Sequence, residues 1–583
     1  SDSTSSPFTR KQYMSAEPNQ EHAPVSGNSN PEFHTEPEAD VHPLTVQIQH
    51  MASAYAEGIQ SAKKPMTPIH VDEIASHLAK FYEQIRKVID WKEDNVLRRS
   101  AIERSLKRTL FPKLTGATLK PDIDSYRVAY SVTADLIRGG HLLNDEIPQE
   151  HVVLVQAVLD KYLYILKHAK FPTTELIPLK RQINFTYFII ELAAVDIEDI
   201  LTNPVKERVL LEAMTQTLND RIRIRPEGGM TDEEKKTHVF IAVSRTLFDL
   251  DDSFIIAQLL KFTYPDWLTP SEELKQKLAA DIPSIWLNSE KVLEHPVSKQ
   301  LYSIAERIDT VYMLLGDVLD QYKNSPQKVE AILSDKIKLI AEITAAYDKR
   351  YLSLKSRLLR LAIFSTLSVF LSNWVTFFIV EIPLANLFYE GFNLFTTIID
   401  FVVPTAVMFA LVSIIRPPPA ENISHVLTAV YQFVYEDEKK KLYDIYLKQR
   451  RNPMFTLVVG VLYLFMMFGV LGGVGYLFYI ANLPITSVIF DTFTIALTFF
   501  AAVGIRNKAK ELSVDDKTPV WEFLLDMLSV PIARIGSILA AKWKEYNIIA
   551  ILFTFLIETP MVVIFDFIEN WSQYIKERRS ELH

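Results

Sequence analysis

MFTLVVGVLYLFMMFGVLGGVGYLFYI, residues 454–480, contains no charged side chain. A bilayer crossing needs about 20 mostly apolar residues, so this stretch is long enough to span one, and the rest of the chain is read around it. Three more stretches meet the same test: 361–380, 393–415 and 483–505. A fifth, 547–569, is apolar but carries Glu558, Pro560 and Asp566. Pro560 removes a backbone donor and disfavours helix at Thr559, leaving halves of about 11 residues that rise about 17 Å each. A kinked crossing and a re-entrant hairpin both fit this stretch.

Basic residues give the orientation. Lys349, Arg350, Lys355, Arg357 and Arg360 precede the first span. Arg416, Lys439, Lys440, Lys441, Lys448, Arg450 and Arg451 lie between the second and third, and Arg506, Lys508, Lys510 and Lys517 follow the fourth. The links 381–392 and 481–482 carry none. The amino-terminal region is therefore expected in the cytoplasm, with a multi-pass anchor in a plasma or inner membrane. Residues 521–543 place Arg534 and Pro531 within an amphipathic pattern, which reads as a helix lying in the interface.

The 583 residues are 48% hydrophobic, a value between those of soluble and wholly embedded chains. Residues 1–45 are rich in Ser, Asn, Glu and Pro and poor in aliphatics, as in a disordered tail. They lack the charged-then-apolar order of a signal peptide. Residues 46–325 repeat apolar positions three and four apart and show no alternating strand pattern, so they read as a helical domain. Thr269 with Pro270 is the expected start of one of its helices. Residues 326–360 form a connecting amphipathic helix whose apolar spacing, from Leu333 and Ile337 to Leu354 and Leu358, averages 3.5 and suits packing on its own domain. Residues 421–451 are expected to be helical, 361–571 form the membrane domain, and 572–583 are a basic tail. The fold class is all-α: a cytoplasmic helical domain followed by a polytopic helical membrane domain.

The absence of cysteine excludes disulfides, thiolate metal sites and cysteine nucleophiles. The net charge of -9, without a basic stripe, argues against nucleic acid. No phosphate-binding glycine loop and no HExxH motif occurs, and no cofactor or enzymatic chemistry is expected. His70 and His77, seven apart, and the basic stretch 98–110 read as exposed helix faces.

Asp400, Asp491, Glu558 and Asp566 fall in apolar stretches, and each costs roughly 2.5–3.5 kcal/mol at mid-membrane on insertion scales. No Lys or Arg lies inside the four clear spans to neutralise them. They are candidates for a proton or cation pathway, or for interhelical bonds to groups such as Asn373. Pro404, four residues after Asp400, is placed to kink its span and expose carbonyls there. Gly469 and Gly473 form a small-xxx-small pair suited to helix packing, within one chain or between two. The reading that follows is a membrane-anchored scaffold, in contact with lipid and assembling with a protein partner or as a homo-oligomer. A proton- or cation-conducting channel or secondary transporter is the alternative.

Overall fold

The computed structural model describes residues 42–61, 67–69, 94–114, 123–169, 171, 179–226, 228–383, 387, 394–435, 441–447, 453–514, 529–540 and 571. In order, the helices of the amino-terminal region are α1 (Val46–Ser61), α2 (Asp94–Leu114), α3 (Ser125–Arg138), α4 (Gln149–His168), α5 (Leu179–Thr202) and α6 (Val205–Arg221). After strand β1 (Ile222–Arg225) come α7 (Asp232–Leu247), α8 (Asp252–Thr263), α9 (Glu272–Leu293), α10 (Pro296–Ala305), α11 (Asp309–Gln321) and α12 (Val329–Ser334). Caps set several of these ends. Thr231 and Glu234 form a reciprocal capping box on α7. Ser271, whose Oγ accepts from Leu274 N–H at 3.2 Å, opens α9, two residues later than the start expected at Thr269.

The connecting helix is α13 (Lys336–Thr376), and it is continuous with the first apolar span. Asp335 caps it, so Leu333 belongs to α12. The spacing expected from Leu333 and Ile337 is corrected accordingly: Ile337 is exposed, and the packed seam is Leu339, Ile343, Tyr347, Leu354 and Leu358. A π-turn, Phe377–Glu381, ends the helix. The remaining apolar helices are α14 (Leu394–Ile414), α16 (Pro453–Ile480) and α17 (Ile485–Ala509). With α13 they make four helices, among the described residues, long and apolar enough to cross a membrane. The link between α14 and α16 holds α15 (Asn422–Val434) and strand β2 (Tyr443–Tyr446).

Strands β1 and β2 pair in parallel, Ile222 opposite Tyr443 through Arg225 opposite Tyr446. Two expectations are corrected here. The segment Ile222-Arg223-Ile224-Arg225 does alternate, and it buries Ile222 against the region of Ile445. Within 421–451, expected to be helical, the described residues form a helix at Asn422–Val434 and a strand at Tyr443–Tyr446.

The ribbon is one of several contacts by which membrane-side links grip the amino-terminal helices. Thr45 N–H donates to Val434 O at 2.9 Å, and Tyr435 Oη to Leu333 O at 3.0 Å. The Arg221 guanidinium donates to Gln432 O at 2.9 Å and lies 4.1 Å from the Phe433 ring centroid. Asn422 Nδ2 donates to Tyr347 Oη at 3.0 Å and to Leu512 O at 2.7 Å. Arg357 pairs with Glu511. One apolar core therefore runs from Ile48 through Val430 to Met408 and Ile505, uniting the helical region with the near ends of the spans.

Deep in that region Asp196 and Lys161, both fully buried, approach to 2.7 Å. Asp196 Oδ2 also accepts from Tyr162 Oη and Trp267 Nε1, each at 2.8 Å, and Lys261 reaches Oδ1 at 3.1 Å. Burial opposes the charge on Lys161 and takes its pKa down to about 8, while Asp196 works against that shift. The stretch 98–110 is likewise not an exposed basic face. Arg99 is 2% exposed and pairs with Glu198 at 2.9 Å and Asp251 at 2.8 Å.

Two predictions follow from these buried groups. Lys161→Met strands Asp196 and is expected to cost roughly 3–5 kcal/mol, read as a lowered melting temperature in detergent. Adding Asp196→Asn should recover part of that loss, and a strictly additive double variant would contradict the pairing. At the membrane-side junction, burial pushes the Asp309 carboxyl up to about 8, with Glu306 and Glu511 adding to the effect and Thr310 opposing it. Its folded-state pKa exceeds the unfolded 3.8, so its contribution is fully present below that value and is lost as pH rises toward 8. Asp309→Asn should gain melting temperature over the wild type between pH 4 and 8, with no difference at pH 4.

Candidate functional site

Pro404 lies inside α14. Having no N–H, it cannot bond the carbonyl four residues earlier, and that carbonyl belongs to Asp400. Asn373 on α13 supplies the missing donor: its Nδ2 gives a hydrogen bond to Asp400 O at 3.0 Å. Asn373 therefore bonds the backbone of Asp400, and this contact fixes the two helices side by side. Phe377 packs against Phe401 edge-on at 4.9 Å in the next turn.

The π-turn then places Glu381, 3% exposed, in the same region. π-turns insert one residue and often occur at functional sites. Ser487 of α17 donates to Glu381 Oε2. One turn on, the Asp491 carboxyl lies beside that of Asp400, and both aspartates are 2% exposed. Asp400 Oδ1 and Asp491 Oδ2 are buried and accept no hydrogen bond among the described residues. Ser487, Asp491, Ile495 and Thr498 share one buried face of α17.

Three helices thus bring three carboxyl groups together. Asp400 and Asp491 stand six positions beyond Leu394 and Ile485, about 9 Å along each helix, at the ends away from the amino-terminal helices. Two carboxyl groups can hydrogen-bond each other only when one of them supplies an O–H donor. Among the described residues no group of three or more His, Cys, Asp or Glu is arranged to hold a metal ion.

The sequence pointed to Asp400, Asp491 and Pro404, and the structure assembles them. It adds Glu381, which sits at a span end where a carboxylate ordinarily meets water. Glu558, Pro560 and Asp566 lie outside the described residues, as does the choice between crossing and hairpin. Gly469 and Gly473 make no close approach to another described helix, because a Cβ at either would meet nothing within 4 Å. Closer packing of α16 on α17 occurs at Gly475 instead, where an added Cβ would stand 3.4 Å from Thr492 Oγ1. Residues 521–543 also differ from the interfacial expectation. Their described part, α18 (Ser529–Ala540), lays Gly536 against the Ala496 carbonyl at the middle of α17. Ile532 joins Leu471 and Ala496 in a small apolar cluster there.

The role assigned to Asn373 has a direct test. Asn373→Leu leaves a carbonyl unpaired at a cost of about 1–3 kcal/mol. Pro404→Ala restores an N–H to the helix, and in that background Asn373→Leu should cost clearly less. Equal losses in both backgrounds, measured by thermal unfolding in detergent, would exclude the proline-freed carbonyl as Asn373's purpose. No protein family, curated protein or solved structure matches this chain.

Proposed function

We propose that this chain is a multi-pass protein of a plasma or inner membrane, with its helical domain in the cytoplasm, that conducts or couples protons through Glu381, Asp400 and Asp491. The observation carrying this reading is the meeting of three buried carboxyl groups from three apolar helices with no basic partner among the described residues. Intramembrane acids that face a bundle interior mark proton relays. Ser487 holds Glu381, Asp400 and Asp491 lie side by side, and Pro404 leaves α14 without one rung of its ladder beside them. Relay requires the proton to move from the aspartate pair to Glu381 and on to the far surface. The short distance from Asp400 and Asp491 to the ends of their helices suits such an exit.

A second reading, a membrane-anchored assembly scaffold, draws support from the grip of the helical domain on the links and from the open face of α16 at Gly469 and Gly473. Assembly with a protein partner or a second copy would use these surfaces.

Flux separates the two. Purified protein in liposomes containing a pH-sensitive dye should acidify the lumen when an inward proton gradient is imposed. Glu381→Gln and Asp491→Asn should each cut the initial rate by about 100-fold while leaving the elution profile unchanged. Absence of wild-type flux, or full flux in both variants, would refute proton conduction. Loss of the native elution profile in the variants would favour the scaffold.

A further inference from the structure

Between α13 and α14, on the domain side of the carboxyl cluster, a groove encloses about 930 Å³. Its walls are mainly apolar, with Leu359, Ile363 and Phe409 exposed along it. One end reaches Phe370 and Thr405, about one turn short of the Asn373–Asp400 contact. The other reaches Lys355, whose ammonium has no ion-pair partner among the described residues. Arg416, exposed and likewise without a described ion pair, sits between the lining residues Ile415 and Pro417. No acidic residue lines the groove.

We propose that this groove binds one anionic phospholipid of the leaflet nearest the helical domain. Its acyl chains would lie along Ile363 and Phe409, and its phosphate would lie at Lys355 and Arg416. Charge and depth select this occupant. Lys355 stands six positions before Leu361, where the apolar stretch begins, which is headgroup level for a helix entering a bilayer. Juxtamembrane cations attract anionic headgroups, and basic pockets between spans on this side bind them specifically. A small soluble anion would leave the apolar length of the groove unfilled. The lipid would be wedged between the two helices that carry Glu381 and Asp400, so its presence would bias their spacing. This inference rests on the membrane reading alone and stands whether or not protons are conducted.

The test uses the full chain reconstituted in phosphatidylcholine vesicles doped with phosphatidylglycerol. Flotation with the vesicles is scored first, and failure to float would overturn the membrane reading together with this site. The floated protein is then extracted in mild detergent and its retained lipids are weighed by mass spectrometry. Phosphatidylglycerol should be enriched over its bulk share, and the enrichment should fall roughly fivefold for each cation removed in Lys355→Gln and Arg416→Gln. Ser413→Trp, which fills the groove from an exposed position, should abolish retention while flotation persists. A bulk-like lipid ratio in the wild type, or unchanged enrichment in the double variant, would overturn the proposal. Release of the lipid by glycerol 3-phosphate would reassign the cations to a soluble anion and also overturn it.

Discussion

A carbonyl group inside a bilayer has no water to bond, so it must find a donor in the protein. Pro404 deprives the carbonyl of Asp400 of the donor its own helix would supply, and Asn373 replaces it from the neighbouring helix. That single bond locks α13 and α14 in register one turn before the π-turn. The register decides where Glu381 falls, and hence whether Ser487 of α17 reaches it. Without the bond, nothing polar among the described contacts would hold α13 to α14 at this depth. The carboxyl cluster is therefore a consequence of repairing one missing rung.

The same chain solves the burial of a carboxyl group in two ways. In the amino-terminal helices burial disfavours ionisation of Asp196, but the Lys161 and Lys261 ammonium groups outweigh it and hold its carboxyl below the usual range. Tyr162 and Trp267 complete the shell. Every partner there is fixed, so the charge is a structural keystone. In the bundle the aspartates have each other and, among the described residues, no ion-paired cation. That difference in partners is why the two clusters carry different expectations despite similar burial.

Much of the architecture was legible because its signals are long. The apolar stretches at 361–380, 393–415, 454–480 and 483–505 locate the apolar helices to within a few residues. The clustered arginines and lysines already placed the links that the structure shows gripping the amino-terminal helices. Short signals were lost. Four residues of alternation in Ile222-Arg223-Ile224-Arg225 are too few to outweigh helical neighbours, and their partner strand lies more than 200 positions on. Asp400 and Asp491 stood out as acids in grease, whereas Glu381 was hidden at a span boundary. Only the π-turn, which no residue pattern announces, turns it inward. The bond from Asn373 was within reach, since a proline inside a span names the carbonyl it abandons. The donor's identity still required the packing of a second helix.

Coupling between domain and bundle follows from α13. It is a single helix from Lys336 to Thr376, pinned in the domain by Arg350 to Asp317 at 2.8 Å and near the membrane by Arg357 to Glu511. A helix of this length transmits rotation and axial shift with little loss, and its weakest point is the π-turn, where the regular ladder breaks. The helix thus joins the domain directly to Asn373 and, through the π-turn that follows it, to Glu381, the two residues by which it touches the site. Linkage makes the relation reciprocal: if protonation of Glu381 changes its bond to Ser487, the position of α13 preferred by the bundle changes too, and the domain responds. The grip of β1, β2 and α15 on the α14–α16 link closes the circuit. It ties the helix that carries Asp400 to the same domain that anchors the helix carrying Glu381.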